Sequence, residues 1–491
     1  MTNPLDSYYR KIAIVGFLIF VLAAWFSAGY HHPDEHFQIL EFSQYKSGHI
    51  PSTNLAWEFH EQIRPALPVF ICYGVIKFFS FFGITNPFFL AFILRLLVGL
   101  AAWWITRKLA LLLLDNFKTD AGKKIFFAII FLLWFVPYIS VRFSSENLSS
   151  VTLLTAIFLI LTFRDLSSGK KFIRLFGAGL MLAFAFYFRF QIAFAIIGIV
   201  LWLVFIYKIR IKEIGAIISG GIIALMVCIL IDYWFYETWV LTPVNYFNIN
   251  IIEDIASKFG VTPWWNYFYL YFIQVIPPLS IILLLFFFFG TAKSLRNIFL
   301  WSIVPFLIAH FMIGHKETRF LFPVVFAFLY LVSVGIDNFI LTMKIPKISH
   351  IVFITLLVIN IPLLVFRSFS PARESLSYYK FLYDFAGDKK IELICLDNEI
   401  YADVGLPVSF YRSPNVNTKF IEDYNEFSEY LKSEKPERVY LIEFVRIFTD
   451  PHEGYSEKVL YSVLPDWVLK VNINNWVSRT SIWKIKELTR K

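Results

Sequence analysis

Two adjacent carboxylates flanked by histidines follow the first apolar run of the chain. The run covers residues 12–29, about the length that crosses a bilayer, and the motif His31-His32-Pro33-Asp34-Glu35-His36 comes directly after it. Acidic pairs are costly near hydrocarbon and usually mark function there, and a carboxylate in this position can accept a proton from a substrate. The same residues also suit the first turn of a solvated helix that begins at Pro33. The motif alone leaves both interpretations open.

The composition is typical of a polytopic membrane protein. Of the 491 residues, 58% are hydrophobic and only 16% are charged, and a soluble globular protein does not need so much apolar surface. The formal net charge of +9 lies in short basic clusters between apolar runs, as expected of cytoplasmic loops under the positive-inside rule. We therefore expect membrane lipids, and no nucleic acid, among the partners. Three cysteines are too few for a disulfide framework.

The alternation of apolar runs and basic clusters predicts a topology. Apolar runs lie near residues 12–29, 66–83, 88–114, 125–141, 148–163, 172–188, 191–207, 214–233, 267–289, 298–313, 320–341 and 349–366. Basic clusters lie at 10–11, 118–124, 164–174, 208–212, 293–296 and 344–347. With these clusters inside, the segments at 31–65, 142–147, 189–191, 234–266 and 314–319 lie outside. Twelve crossings give the wrong parity, so 66–83 or 88–114 is expected to be re-entrant or interfacial.

We therefore predict an α-helical polytopic membrane protein with about eleven to twelve transmembrane helices. From about Ser370 charged residues return, with short β-rich runs at 391–396, 438–444 and 467–473 and a helical pattern over 418–432. These features predict two domains. The first is a transmembrane catalytic domain over 1–369, with outer loops 31–65 and 234–266. The second is a small α/β domain over 370–491 on the non-cytoplasmic side.

Unusual polar and aromatic side chains collect in the segments predicted to lie outside. They are His32, Asp34, Glu35, Trp57, Glu58 and Arg64 in the first loop, Arg142, Glu146, Arg189 and Gln191 in the next turns, Asp232, Tyr236, Thr242, Asn245, Trp264 and Tyr267 in and before the long loop, and His315, Lys316 and Arg319 in the last hairpin. A helix from Pro33 places Asp34, Gln38 and Glu41 on one face, which predicts an amphipathic helix on the membrane with an acidic rim.

Each of these groups also has a purely structural interpretation. Arg142 and Arg189 can anchor helices at the membrane interface, and Trp264 can belong to an aromatic belt. Lys316 and Arg319 can cap a helix. These alternatives do not account for the mixture of carboxylates and cations on the face that should not attract basic residues.

Four ordered motifs in these segments resemble those of the family 22 glycosyltransferases, the GT-C mannosyltransferases of GPI-anchor and N-glycan precursor assembly. The motifs are His32-Pro33-Asp34-Glu35 with Phe37-Gln38, Asp232 to Trp239 with Thr242-Pro243-Val244-Asn245, Phe259-Gly260 with Pro263-Trp264 and Tyr267, and His315-Lys316-Glu317-Thr318-Arg319-Phe320. The pattern is most similar to the GPI third-mannose enzymes, although Thr262 stands where that family usually has His. We expect a bacterial member.

The resemblance implies a GT-C fold and a hexosyltransferase. It implies inverting transfer of a sugar, typically mannose, from a polyprenyl-phosphate donor to a lipid-linked glycan acceptor on the non-cytoplasmic face. Asp34 is the expected base and Glu35 the second candidate. Lys316, Arg319 and His315, with Arg64 and Arg189, are expected to bind the donor phosphate. The remaining candidates are expected to bind substrate, and no metal or other cofactor is expected.

Two other functions stay open. One is a protein- or oligosaccharide-directed GT-C transferase of another family, and the other is a lipid-linked glycan flippase or transporter. A secondary transporter places its ionisable groups near the bilayer midplane, often within inverted repeats, whereas here they lie at one interface. The expected location is a bacterial inner membrane with the site facing the periplasm, or an endoplasmic reticulum membrane with a lumenal site in a eukaryote.

Overall fold

The computed structural model describes residues 4–491 except 165, 343–345, 374, 397–398, 446–451, 453, 478–479 and 481. The basic cluster predicted at 344–347 begins outside the described residues, and position 165 of the cluster at 164–174 also lies outside them. The helices are α1 Pro4–Phe26, α2 Pro33–Glu35, α3 Glu41–Lys46, α4 Trp57–His60, α5 Leu67–Phe81, α6 Pro87–Leu113, α7 Asp120–Leu132, α8 Val136–Ser140, α9 Ser145–Leu161, α10 Ser168–Phe188, α11 Ala193–Leu201, α12 Ile211–Tyr236, α13 Thr242–Phe247, α14 Asn266–Val275, α15 Leu279–Ala292, α16 Ile298–Met312, α17 Val325–Thr342, α18 Pro346–Phe369, α19 Ser375–Ala386, α20 Tyr424–Glu434 and α21 Asp466–Lys470. The strands are β1 Ile391–Leu396, β2 Ala402–Asp403, β3 Leu406–Pro407, β4 Val416–Ile421, β5 Arg438–Val445, β6 Tyr455–Ser462 and β7 Ile482–Arg490.

The helical part has the composition of a membrane domain. Within the described residues, six helical stretches are long and apolar enough to cross a membrane: Asp6–Phe26, Pro87–Asn116, Ser168–Phe188, Phe190–Tyr207, Ile211–Tyr236 and Thr318–Thr342. Five shorter apolar helices accompany them. The predicted class, an α-helical polytopic protein with a small C-terminal sheet, is confirmed. The count of about eleven to twelve crossings stays a prediction.

Two of the apolar runs are broken. The run at 267–289 forms α14 and α15 instead of one helix, because Pro277 and Pro278 cannot donate backbone hydrogen bonds and exclude a continuous helix. The run at 125–141 forms α7 and α8. The run at 66–83, one of the two expected not to cross fully, contains α5 of 15 residues, which at 1.5 Å per residue is only about 22 Å long.

Small residues let α10 and α12 pack closely. A Cβ atom on Gly179 would lie 1.9 Å from the carbonyl oxygen of Ile217, and one on Gly220 would lie 2.0 Å from that of Phe176. Such contacts are the usual way in which apolar helices approach when no water drives them together. The packing fixes the C-terminal end of α10, after which Arg189 lies, relative to α12, which contains Asp232.

The segment after Pro33 is helical but irregular. It begins with α2, continues through a π-helical turn at His36–Leu40, and ends with α3. The π turn adds a residue to the helical turn, so Glu41 does not share an exposed face with Asp34. Glu41 is only 1% exposed. The expected acidic rim at this position is therefore wrong.

After α19 the chain forms a mixed five-stranded sheet in the order β4-β1-β5-β7-β6. β1 pairs in parallel with β4 and β5, whereas β7 runs antiparallel to β5 and β6. The strands predicted at 391–396 and 438–444 are confirmed. The helix predicted over 418–432 is correct only from Tyr424, because residues before it pair with β1, and the side chain of Asp423 caps the helix that follows.

The strand predicted at 467–473 is wrong. Its β-branched residues favoured a strand. Instead Pro465 is the N-cap of the short helix α21, and a 3₁₀ turn follows that helix. Strands β6 and β7, which contain many polar residues, were not predicted.

Apolar side chains of the sheet region share one buried core with the loop at 31–65, including Phe37, Tyr379 and Val408. The domain boundary at 369/370 stays a prediction.

Candidate active site

Segments that are far apart in sequence bring charged side chains together in one cluster. Asp34 lies in α2, Arg64 precedes α5, Glu146 begins α9, Arg189 follows α10, and Arg319 follows α16. Glu146 and Arg189 lie at the ends of α9 and α10, and Arg319 lies at the start of a 3₁₀ segment, Thr318–Val324, that leads into α17. The four motifs quoted from the sequence all contribute to this region or to the segments that support it.

Arg319 is the centre of the cluster. Its Nη2 lies 2.9 Å from Oδ2 of Asp34, its Nη1 3.1 Å from Oε1 of Glu146, and its Nε 2.5 Å from Oε2 of Glu317. The guanidinium is 6% exposed and also lies over the ring of Phe320, 5.1 Å from its centroid. Planar charge-assisted contacts of this kind hold partners in fixed orientations.

Asp34 is held ionised although it is mostly buried. Burial alone opposes its charge, but the nearby Arg319 guanidinium, the hydrogen bond with His32 and the Arg64 guanidinium outweigh that effect and keep the pKa of Asp34 well below its usual value. Nη2 of Arg64 lies 3.5 Å from Asp34 Oδ2, and Nδ1 of His32 lies 3.3 Å from Oδ1. The side chain keeps 21% of its surface exposed, so a substrate can reach it.

Glu35 differs from its neighbour. It is 8% exposed, and its Oε2 accepts the backbone N–H of His31 at 3.2 Å. Burial raises the pKa of Glu35 to about 7, with Arg142 opposing and Glu146 reinforcing the shift. An ionised base at neutral pH is therefore a role for Asp34, and Glu35 exchanges a proton near neutral pH.

The raised pKa of Glu35 predicts a pH-dependent stability. The folded chain holds this proton more tightly than the unfolded chain, so stability falls as the pH rises from the ordinary value of 4.5 to about 7. The shift corresponds to about 3 kcal/mol. We expect Glu35→Gln to raise the thermal midpoint in detergent at pH 8 and to flatten its decline between pH 5 and 8. The exposed acid Glu61 provides the control Glu61→Gln, and equal pH dependence in Glu35→Gln and wild type would contradict the assignment.

An open pocket lies beside the cluster. Polar and apolar side chains both line it: Gln38, Arg64, Pro65, Pro68, Ser145, Phe188, Arg189, Phe190, Gln191 and Tyr246. The two arginines are anchored by carboxylates, since Arg64 lies 3.3 Å from Glu58 and Arg189 lies 3.2 Å from Glu146. The pocket thus combines two fixed cations with polar groups that can bind hydroxyls.

Lys316 and His315, predicted phosphate ligands, lie to one side of this pocket. The Lys316 ammonium donates to the carbonyl oxygens of Ile313 at 2.5 Å and Thr262 at 3.1 Å, and burial lowers its pKa. Nε2 of His315 lies 2.9 Å from Oε1 of Glu317. In these positions they tie the last hairpin to the long outer loop, and their phosphate role stays a prediction.

A buried network supports the residues around Arg64. Asp232, which is 0% exposed, accepts the N–H of Ala66 at 2.8 Å and the hydroxyl of Thr242 at 2.7 Å, and it also accepts the hydroxyl of Tyr187. Two further predicted substrate ligands bind the same short segment. Tyr236 donates to the carbonyl oxygen of Arg64 at 2.8 Å, and Asn245 donates to that of Gln62 at 3.3 Å. These contacts hold Arg64 in place.

Arg142, Tyr267, Trp264 and Trp57, also predicted to bind substrate, form no hydrogen bond or ion pair with Asp34 among the described residues. Arg142 is 0% exposed and donates to the carbonyl oxygens of Ser27 and Gly29, which fixes the chain just before His31. Tyr267 is buried, whereas Trp264 is 62% and Trp57 36% exposed. The exposed tryptophans offer flat faces to a ligand, and their role stays a prediction.

Glu317 was not among the predicted site residues. It contacts three predicted ones, because its carboxylate lies 3.2 Å from Nε2 of His32 and also contacts His315 and Arg319. Burial opposes its charge, but Arg319, His32 and His315 lower the pKa of Glu317 to about 2. The sequence did contain a signal for Glu317, because it lies between the cations Lys316 and Arg319 in one motif.

No group of three or more His, Cys, Asp and Glu side chains in the described part of the chain is arranged to hold a metal ion, and the absence of a metal stays a prediction.

Comparison with known proteins gives one family and several relatives. The sequence pattern of the Alg9-like mannosyltransferase family matches residues 12–412. The chain is 24% identical over 331 residues to GPI alpha-1,2-mannosyltransferase 3 of Bos taurus, across 65% of this chain and 57% of that protein. The residues that match the family, 12–412, contain every charged residue of the cluster around Arg319.

Two further relatives have names that state different specificities. The chain is 27% identical over 235 residues to Dol-P-Man:Man(7)GlcNAc(2)-PP-Dol alpha-1,6-mannosyltransferase of Saccharomyces cerevisiae, across 46% of this chain and 42% of that protein. It is 25% identical over 338 residues to GPI mannosyltransferase 4 of Candida albicans, across 62% of this chain and 64% of that protein. The chain thus spans about half the length of these relatives.

Proposed function

The chain belongs to the Alg9-like mannosyltransferase family, and we propose that it transfers mannose from a polyprenyl-phosphate donor to a hydroxyl of a lipid-linked glycan, with inversion at the anomeric carbon. The observation that carries the proposal is the partly exposed carboxylate of Asp34, held by Arg319 and Arg64 beside a pocket that two guanidiniums line. One relative's name specifies a Dol-P-Man donor, and Asp34 and Arg319 lie in motifs that resemble those of the family.

In the proposed reaction Asp34 accepts the proton of the acceptor hydroxyl. The hydroxyl oxygen forms its bond to the anomeric carbon from the face opposite to the phosphate, and the carbon–oxygen bond to the phosphate breaks with its electron pair remaining on the phosphate. The products are the extended glycan and a polyprenyl phosphate. A base with a depressed pKa stays ionised before the attack and contributes general-base catalysis of roughly 10² to 10⁴-fold.

The donor phosphate is assigned to the pocket between Arg64 and Arg189. Both guanidiniums line it, and both are oriented by carboxylates. Fixed cations stabilise the charge that grows on a leaving phosphate without reorganising during the reaction. Gln38, Gln191 and Tyr246 line the same pocket and are assigned to sugar hydroxyls. Arg319 then acts on Asp34 instead of on the phosphate.

A direct transfer assay tests the proposal. Purified protein is incubated with radiolabelled polyprenyl-phosphate mannose and a lipid extract from a strain that lacks the gene, in detergent and without an ion gradient. We expect label to move into the glycolipid fraction. A labelled donor that stays intact, together with unchanged lipid-linked glycans in the deletion strain, would contradict the transferase and favour a flippase or transporter.

The apolar helices and the family make the chain an integral membrane protein, and we place the cluster on its non-cytoplasmic face. Single cysteines at the exposed positions Thr53, Lys258 and Ser433 are expected to react with a membrane-impermeant reagent in intact cells or spheroplasts. A cysteine at the exposed Ser168 is expected to react only after lysis, because it lies in a basic cluster.

The three native cysteines are buried, so the wild-type chain is the background control for this labelling. Reaction of Thr53→Cys and Lys258→Cys on opposite sides would separate the two outer loops, and one active site then cannot use both. Protection of Ser433→Cys alone would place the C-terminal sheet in the cytoplasm and leave the catalytic assignment intact. Labelling in spheroplasts tests a location in a bacterial inner membrane. Labelling in sealed microsomes tests a location in an endoplasmic reticulum membrane.

A further inference from the structure

The sheet-containing region after Ser370 contacts the outer loop that carries Asp34. The contact is made by residues 402–411, which comprise β2, β3 and the turn after them and are called the docking hairpin below. The docking hairpin meets the loop at two places, one before Asp34 and one after it. Nothing in the proposed chemistry uses these contacts.

The contact after Asp34 is made by Glu41. Its Oε1 accepts the backbone N–H of Ser409 at 2.6 Å and that of Phe410 at 2.9 Å. Nε2 of His36 lies 2.8 Å from the same oxygen, and Glu41 is 1% exposed. A carboxylate so deeply buried is costly unless it is paired, so this contact is a specific feature of the fold.

Aromatic stacking extends the contact toward Asp34. The ring of His36 lies between those of Tyr30 and Tyr411, with centroid distances of 5.1 Å and 5.6 Å and interplanar angles of 28° and 13°. His36 is 0% exposed. One ring of the stack comes from the docking hairpin, and another comes from the residues just before α2.

The contact before Asp34 is made by Asp403. Its Oδ2 accepts the hydroxyl of Tyr30 at 2.5 Å and a guanidinium N–H of Arg373 at 2.5 Å. Ala372 also donates its N–H to the carbonyl oxygen of Ala28 at 2.8 Å. The docking hairpin therefore contacts the chain on both sides of Asp34, at Tyr30 before it and at Glu41 after it.

Backbone hydrogen bonds make the segment between these contacts continuous. The N–H of His36 donates to the carbonyl oxygen of Pro33, and the N–H of Glu41 donates to that of His36. A displacement of Glu41 is thus transmitted to α2 and to Asp34. We propose that the C-terminal region positions the catalytic base through the docking hairpin, with Glu41 as the principal positioning residue.

The test compares Glu41→Ala with the conservative Glu41→Gln in the full-length protein. A glutamine keeps an oxygen that accepts both N–H groups, whereas alanine removes it. Because misplacing a reacting group by about 1 Å can cost roughly 10²-fold, we expect Glu41→Ala to lower kcat by about 10-fold or more while the donor KM changes by less than about twofold. Glu41→Gln is expected to restore most of kcat.

Two further variants complete the design. Asp403→Ala cuts the other contact of the docking hairpin and is expected to lower kcat in the same way, even where Glu41→Ala fails to fold. Asp384→Ala removes an exposed acid that pairs with Lys380 in α19 and serves as the matched control. A kcat of Glu41→Ala equal to that of Asp384→Ala, or no restoration in Glu41→Gln, would overturn the proposal.

Hydrogen exchange separates this proposal from the proposed function on which its activity readout rests. In purified full-length protein, the amides of residues 34–41 are expected to exchange faster in Glu41→Ala than in wild type, and at the wild-type rate in Asp384→Ala. Unchanged exchange in Glu41→Ala would overturn the positioning role. Absence of transfer by the wild type would overturn only the proposed function, and the exchange rates would then decide the positioning role alone.

Discussion

Replacing Asp34 with asparagine is expected to lower the rate of sugar transfer by roughly 10²-fold or more, the usual size of a general-base effect. The amide keeps the shape of the side chain and can still contact Arg319, but it cannot accept the acceptor's proton. Donor KM is expected to stay near the wild-type value, because the base acts on the acceptor. The measurement is kcat and KM in the transfer assay, with expression and gel filtration as checks of folding.

Glu61→Gln is the matched control for Asp34→Asn, since Glu61 is an exposed acid of the same outer loop. It is expected to leave kcat within about twofold of wild type, as surface substitutions usually do. Glu35→Gln is expected to reduce kcat less than Asp34→Asn. Near-normal turnover in Asp34→Asn would remove Asp34 from the base role, and a larger loss in Glu35→Gln would transfer that role to Glu35.

The sequence predicted the class of the fold and the segments that form the site, for physical reasons. Long apolar runs can only be buried or in lipid, so their helices followed from composition. His32, Asp34, Arg64, Glu146, Arg189 and Arg319 were all among the predicted site residues, and the structure brings them together. Charged residues at one interface have few alternatives to pairing with one another.

The contacts of these residues were not predictable from the same patterns. Asp232 and Thr242 were expected to bind substrate, which stays a prediction; in the structure Asp232 accepts hydrogen bonds from the Thr242 hydroxyl and the backbone N–H of Ala66. A motif gives the residue types that a site needs, and it does not distinguish a ligand from the side chain that holds the ligand in place. Glu317 was missed because one of its partners, His32, comes from a segment far away in the sequence.

Local irregularities account for the remaining differences. The π turn at His36–Leu40 rotates Glu41 away from the face of Asp34, and a regular helical wheel cannot anticipate one inserted residue. In the C-terminal region, Val468 and Leu469 favoured a strand by type, but they lie in a helix that begins at Asp466, after its N-cap residue Pro465. Tertiary context overrides such weak propensities.

Arg319→Ala is expected to reduce kcat by at least roughly 10²-fold and also to change its pH dependence. The variant removes one cation from three carboxylates, those of Asp34, Glu146 and Glu317. Without it the remaining negative charges repel one another, so the pKa of Asp34 rises toward or above its usual value. A base is active only when deprotonated, and the acid limb of the kcat profile is therefore expected to move to higher pH.

Arg319→Lys and Lys258→Ala make this result specific. Lysine keeps the charge but is a single point donor that cannot bridge three carboxylates in a plane, so it is expected to restore the position of the acid limb more than the magnitude of kcat. Lys258 is an exposed cation of the long outer loop, and its loss is expected to change neither. An acid limb that stays at the wild-type pH in Arg319→Ala would show that this guanidinium does not set the protonation of Asp34. A rise in donor KM as the main effect would return Arg319 to the phosphate role that the sequence predicted.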